Sequence, residues 1–112
     1  MKDIGAIVIF ITTSSEEEAR MITELMLDQR KAACVNILPK VDSRFWWQGK
    51  LDLAQESLLV IKAKESLLAE AISLVKGAHS YAVPEIISMP IVGGNEDYLK
   101  WIHSEVSEVR DV

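Results

Sequence analysis

Residues 32–63 read AACVNILPKVDSRFWWQGKLDLAQESLLVIKA. The apolar residues of this stretch predict two long strands, one over residues 32–47 and one over residues 51–63. Gln48-Gly49 between them fits a two-residue turn in which glycine takes a positive φ. Pro39 interrupts the first strand and predicts a bulge or an exposed edge there. The stretch therefore predicts one long antiparallel β-hairpin.

Strands and helices alternate on both sides of this hairpin. In order they are a strand at residues 7–11, a helix that begins at Ser14-Ser15, the hairpin, a helix at residues 67–75 that Gly77 caps, a strand at residues 86–92, and a helix that Asn95 caps. The order β-α-β-β-α-β with a C-terminal helix predicts an α+β fold, the ferredoxin-like split β-α-β sandwich. We expect residues 1–112 to form a single domain, because their number matches one domain.

The far end of the hairpin carries aromatic residues that one chain cannot cover. Phe45, Trp46 and Trp47 are consecutive, and neighbours on a strand point to opposite faces. Helices of this fold cover only one face of the sheet, near the short strands. The three aromatic residues therefore predict an interface between copies of this chain.

Composition excludes several classes of partner. The formal net charge is −5, from 12 basic and 17 acidic residues, which argues against general binding to nucleic acid or anionic membranes. The longest apolar run, residues 6–11, is far too short to span a membrane. Cys34 is the only cysteine, so no internal disulfide forms and the cytoplasm is the expected compartment.

Four groups of residues along the chain have identities and spacings that occur together in one known family. They are Ala33-Cys34-Val35-Asn36-Ile37 with Ser43, Phe45, Trp47 and Gly49-Lys50; Glu56, Leu59 and Lys62; His79, Tyr81, Pro84, Glu85 and Ile86; and Gly94, Tyr98 and Trp101. Together they resemble the CutA family of divalent-cation tolerance proteins over essentially the whole chain. The third group is similar to that family's His-Pro-Tyr-x-x-Pro-Glu-Ile motif.

This resemblance implies a tight homotrimer in which the sheet edges of the long hairpins pair. It also implies a cleft at the subunit boundary, and a link to copper and other divalent metals. The chain departs from the family pattern at four positions. Ser80 stands where the motif has Pro, Ala82 where a polar residue is common, Phe45 where Tyr is frequent, and Ile11 where some bacterial relatives have Cys. The last departure removes a thiolate that could bind copper.

His79, Cys34 and Glu85 are the candidate metal ligands. A thiolate, an imidazole and a carboxylate would suit Cu(II) or another divalent ion. We do not expect the protein to require a bound metal ion. No C-x-x-C or H-x-x-x-H spacing supports a preformed centre, so a site would have to assemble across the fold or across chains. In the alternative interpretation Cys34 packs as a small apolar residue and His79 caps a helix or bonds across an interface.

Glu56, Lys62, Tyr81 and Trp47 are the candidate ligand-cleft residues. The loop Gly77–Val83 is held between a helix and a strand, as binding loops often are. Glu56 and Lys62 share one face of their strand, because residues an even number apart do so. A structural ion pair is the alternative interpretation of these two charges.

The sequence favours a trimeric divalent-cation tolerance protein that binds metal ions weakly. The alternative is a trimer resembling PII signalling proteins, which would sense a small anion in the cleft through Lys62, Arg44 and Lys50. The sequence contains no nucleophile elbow, P-loop or dinucleotide fingerprint. We therefore expect no enzymatic activity.

Overall fold

A computed structural model describes residues 5–106. Its four strands form one antiparallel sheet in the order β2-β3-β1-β4. The elements are β1 (Ala6–Thr13), α1 (Glu16–Asp28), β2 (Cys34–Trp47), β3 (Lys50–Lys64), a 3₁₀ turn (Glu65–Leu67), α2 (Leu68–Ala78), β4 (Ile86–Pro90) and α3 (Glu96–Glu105). This order and pairing confirm the predicted ferredoxin-like arrangement with a C-terminal helix.

One face of the sheet holds the main core. Ile7, Ile9 and Ile11 of β1 are buried there and pack with residues of α1 and α2. The intervening residues Val8 and Phe10 are only half-buried. In one chain only the helix-bearing face is fully covered, so the other face is left partly open.

The hairpin of β2 and β3 extends well beyond this core. The ladder between the two strands is irregular between Leu38 and Val41, where Lys40 has a φ of 60°. This is the bulge that Pro39 predicts. The strands join at Gln48 and Gly49, whose φ values of 51° and 81° confirm the predicted turn. The bulge bends a long ribbon whose far end has no helix against it.

The C-terminal helix closes a second, smaller core at one end of the sheet. Ile102 of α3 and Val106 pack there with Ala6 and Leu67. The prediction that Gly77 caps the second helix is wrong, because α2 continues to Ala78. None of the helices among residues 5–106 is long and apolar enough to cross a membrane.

Candidate functional site

A cleft of about 750 Å³ lies between the far part of the hairpin and the loop that follows α2. Its lining residues are Thr12, Ser43, Arg44, Phe45, Trp47, Asp52, Leu53, Ala54, Glu56, Ser80, Tyr81, Ala82, Val83 and Glu85. Three of these side chains are carboxylates, one is a guanidinium and three are aromatic. The cleft therefore combines negative charge with apolar walls.

Glu18, at the start of α1, anchors the loop that forms one wall of this cleft. Ser15 caps the helix, its hydroxyl accepting a hydrogen bond from the Glu18 N–H at 3.1 Å. The Glu18 carboxylate in turn accepts bonds from the Ser14 N–H and hydroxyl, both at 2.9 Å, and from the Ser80 N–H at 2.6 Å. One buried side chain thus joins the first helix to a loop 62 residues away.

Hydrogen bonds keep Glu18 ionised despite its burial. Burial alone would raise its pKa, but the bonds donated by Ser14 and Ser80 outweigh that effect and hold the pKa at about 2. The carboxylate is therefore a fixed negative charge at neutral pH. It stabilises the loop most when it is charged.

His79 is a fully buried side chain with both ring nitrogens occupied. Its Nε2 lies 2.7 Å from the Thr12 carbonyl oxygen, and its Nδ1 lies 3.0 Å from the Tyr81 backbone nitrogen. The backbone N–H of Tyr81 donates to Nδ1, so Nε2 carries the proton and donates to Thr12. In this arrangement neither nitrogen has a lone pair free for a metal ion.

Tyr81 points from this loop to Glu56 on β3. Its hydroxyl donates a hydrogen bond of 2.7 Å to the Glu56 carboxylate, and its ring lies 4.9 Å from the His79 ring. Burial, the hydrogen bond to Glu56 and the charges of Glu56 and Glu18 together raise the pKa of Tyr81 to about 12. Tyr81 is therefore a neutral donor inside the cleft.

Cys34 and Lys62 lie at the other end of the hairpin. Lys62 is the cross-strand partner of Cys34 and donates a hydrogen bond to Asn36. Burial, the charge of Cys34 and a hydrogen bond with Cys34 raise the pKa of Tyr98 on α3. Lys62 is six residues from Glu56 along β3, roughly 20 Å of strand. Of the four predicted cleft residues, Glu56, Tyr81 and Trp47 therefore line the cleft, and Lys62 lies away from it.

The comparisons with known proteins agree with this fold over nearly the whole chain. The family model described as CutA1 divalent ion tolerance protein matches residues 7–105. The chain belongs to the CutA1 family. The divalent-cation tolerance protein CutA of Thermus thermophilus is 43% identical over 95 residues, which are 85% of this chain and 92% of that protein.

Solved structures of CutA1 proteins superpose closely on this chain. The Thermus thermophilus protein has a TM-score of 0.89 at 40% identity, covering 91% of this chain and 99% of that one. CutA1 of Oryza sativa has a TM-score of 0.90 at 40% identity, covering 93% and 95%. The curated rice relative, a chloroplastic CutA 1, is 40% identical over 94% of this chain, but the matched part spans only 59% of its length.

The three predicted metal ligands do not lie together within residues 5–106 of one chain. Glu85 lines the cleft, His79 is buried behind it, and Cys34 lies outside it. Across residues 5–106 no group of three His, Cys, Asp or Glu side chains is placed to hold a metal ion. Metal binding by His79, Cys34 and Glu85 stays a prediction. These residues could bind one ion together only with a second chain or after a rearrangement of the loop.

One departure from the CutA1 motif has a structural consequence. Ser80 stands where the motif has Pro, and its backbone N–H donates the 2.6 Å bond to Glu18. Proline has no N–H and could not make this bond. The loss of proline's φ restraint is thus offset by a hydrogen bond to a charged group.

Sequence analysis missed Glu18 as a residue of this site. The capping-box spacing after Ser15 is a visible signal that Glu18 reaches back toward the helix start. In the structure it reaches Ser14, and also Ser80 at the far side of the fold. No local pattern points to that second contact.

Proposed function

We propose that this chain is a homotrimeric divalent-cation tolerance protein that binds Cu(II) or other divalent ions weakly at clefts between subunits. The observation that carries the proposal is the position of the carboxylates Asp52, Glu56 and Glu85. Asp52 and Glu56 lie on the hairpin, whose end is uncovered, and Glu85 lies on the loop side of the cleft. A second copy packed against that end would complete the site.

Exposed aromatic and aliphatic residues support the trimer. Trp46 is 73% exposed and Trp47 48% exposed in the single chain, and Leu51 and Leu53 on the neighbouring strand β3 are each 65% exposed. A tryptophan carries on the order of 150–250 Å² of surface that favours burial. Pairing of hairpins between copies would bury these residues and the free edge of β2.

Weak rather than tight metal binding follows from the ligand types and their spacing. Carboxylate oxygens attract divalent ions, and Cu(II) is bound most strongly among the first-row ions by most sites. Because residues 5–106 hold no set of three converging ligands, each chain supplies only part of a site. A ligand from a neighbouring copy would complete the coordination.

The alternative of a PII-like anion sensor gains no support from the relatives described above. Arg44 is the cation that lines the cleft, and it is paired with Asp42 at 3.2 Å. Lys62 is not among the lining residues. The expectations that the chain is not an enzyme, binds neither nucleic acid nor membrane, and resides in the cytoplasm remain part of this proposal.

Calorimetric titration with Cu(II) tests the metal proposal. We expect wild type to bind with a stoichiometry set by the trimer, and Glu85→Gln to bind more weakly because a charged ligand is lost. Glu24→Gln, an exposed residue of α1, is the matched control for loss of one negative charge. Equal affinity of wild type and Glu85→Gln would contradict a site at this cleft.

The same titration decides between the other predicted ligands. If His79→Ala binds Cu(II) as tightly as wild type with unchanged stoichiometry, His79 is not a ligand. Its role is then the structural one that its hydrogen bonds to Thr12 and Tyr81 indicate. Cys34→Ser tests in the same way whether the thiol takes part.

A further inference from the structure

Residues 80–85, between α2 and β4, are attached to the fold through side chains and not through main-chain pairs. In the part of the chain that the structure describes, none of the main-chain to main-chain hydrogen bonds outside the helices and strands involves these residues. The Ser80 N–H donates instead to the Glu18 carboxylate at 2.6 Å, and the Tyr81 N–H donates to Nδ1 of His79 at 3.0 Å. A segment that lacks main-chain bonds opens more easily than the helices and strands around it.

Side chains of three different elements hold this segment in place. Glu18 belongs to α1, and Glu56 of β3 accepts a hydrogen bond of 2.7 Å from the Tyr81 hydroxyl. The buried His79 ring is fixed to β1, because its Nε2 lies 2.7 Å from the Thr12 carbonyl oxygen. All of these contacts are made within one chain, so they do not rest on which surfaces a second copy covers.

The attachments of the segment lie close together in the chain. The N–H and the hydroxyl of Tyr81 belong to one residue, whose ring also lies 4.9 Å from the His79 ring. Only the φ and ψ angles of Ser80 separate its N–H from that of Tyr81. We therefore expect a movement that takes Tyr81 out of the cleft to displace both N–H groups from their acceptors.

We propose that residues 80–85 form a lid over the cleft, which the bonds to Glu18, His79 and Glu56 hold closed and which opens as one unit. Most residues of this lid line the cleft. Opening withdraws the Tyr81 hydroxyl from Glu56 and the Tyr81 N–H from Nδ1 of His79. The open form therefore leaves His79 with a lone pair that no donor occupies, which the closed form lacks. The inference itself requires no bound metal ion.

Amide hydrogen exchange of the assembled full chain, followed by NMR in metal-free buffer, tests the lid. In wild type the N–H groups of Ser80 and Tyr81 should have equal opening constants after correction for their intrinsic exchange rates. These constants should exceed that of the Ile9 N–H, in the central strand of the sheet, at least about tenfold. Low concentrations of urea should hardly change the two lid values, because opening a short segment exposes little surface.

Tyr81→Phe removes the bond to Glu56 and keeps both lid N–H groups. We expect it to raise the opening constants of Ser80 and Tyr81 by the same factor, at least about fivefold, because a bond to a charged acceptor is lost. Tyr98→Phe removes a hydroxyl from α3 and is the matched control, which should leave both constants within about twofold of wild type.

Two results would overturn the lid. One is that the Ser80 and Tyr81 N–H groups of wild type exchange only at the opening constant of Ile9, since the segment then opens only with the whole fold. The other is that Tyr81→Phe accelerates the exchange of one lid N–H alone, since the bonds then break independently. If Tyr81→Phe does not fold, the wild-type comparison with Ile9 decides. Because no Cu(II) is present, failure here leaves the metal proposal standing.

Discussion

The hydroxyl of Tyr81 lies 2.7 Å from the carboxylate of Glu56. This bond joins the loop after α2 to the middle of the long hairpin. Behind it, His79 bonds the loop to Thr12 of β1, and Ser80 bonds it to Glu18 of α1. The depth of the cleft therefore depends on a short series of polar contacts that link α1, the loop and β3.

Removal of the Glu56 charge should lower the pKa of Tyr81. In wild type the pKa is about 12 against an ordinary value of 10.0, so we expect Glu56→Gln to move it toward 10. Ultraviolet absorbance titration measures tyrosinate directly. The Tyr98→Phe background isolates the signal, because the chain has only two tyrosines.

The same shift carries a stability effect of defined sign. Tyr81 has a raised folded-state pKa, so its contribution is fully present below pH 10 and is lost as the pH rises toward 12. An unchanged Tyr81 titration in Glu56→Gln would show that the hydrogen bond does not control the phenol.

Glu18→Gln should destabilise the fold by about 1–3 kcal/mol near neutral pH, because the donors of Ser14 and Ser80 lose a charged acceptor. Glu17→Gln, on the same turn but exposed, should change the free energy of unfolding by less than about 0.5 kcal/mol. Urea denaturation of both variants measures the difference.

The pH dependence sharpens this comparison. The folded-state pKa of Glu18 is lowered from 4.5 to about 2, so its stabilisation is complete above pH 4.5 and is lost as the pH falls toward 2. The gap between wild type and Glu18→Gln should narrow over that window. A gap that is constant with pH would mean that ionised Glu18 is not the stabilising species.

Ser80→Pro should reproduce part of the Glu18→Gln effect. The substitution matches the proline of the family motif, but it deletes the N–H that donates to Glu18. We expect a higher pKa for Glu18, so the Ser80→Pro protein should be less stable at neutral pH and should lose less stability on acidification. Ser80→Ala keeps the N–H and is the matched control. Equal stability of the two variants at neutral pH would show that the Ser80 N–H contributes little.

Trp46→Ala should weaken assembly while leaving the fold of each chain intact. Trp46 is 73% exposed in the single chain, so its truncation removes little packing there. A buried interface tryptophan contributes about 2 kcal/mol or more per site. Trp101→Ala, a tryptophan of α3 that is 40% exposed, controls for loss of a large aromatic residue outside the hairpin. If sedimentation equilibrium gives the two variants the same assembly constant, the hairpin end is not the interface.

Local signals made the hairpin predictable. Pro39 marks the bulge between Leu38 and Val41, because its ring fixes φ and it has no N–H to donate. Gln48-Gly49 marks the turn, because glycine accepts a positive φ. Gly77 led to a wrong prediction. Glycine permits a helix end but does not require one, and α2 continues past it to Ala78, after Val75 has packed into the core.

The site was predictable only in part. Because Glu56 and Lys62 are an even number of residues apart, the sequence placed them on one face of β3. That spacing does not show that the two side chains reach the same site. Lys62 therefore lies with Cys34 and Asn36, away from the cleft. The bond between Glu18 and Ser80 depends on how the folded chain brings distant residues together, which no spacing in the sequence encodes.

The mass of the assembly in solution tests the central claim most directly. Multi-angle light scattering after size exclusion at low micromolar concentration should give three times the chain mass of 12.5 kDa. The exposed tryptophans and leucines of the hairpin end predict that this mass persists on dilution. A folded species of 12.5 kDa that remains stable at that concentration would contradict the trimer and the shared cleft built on it.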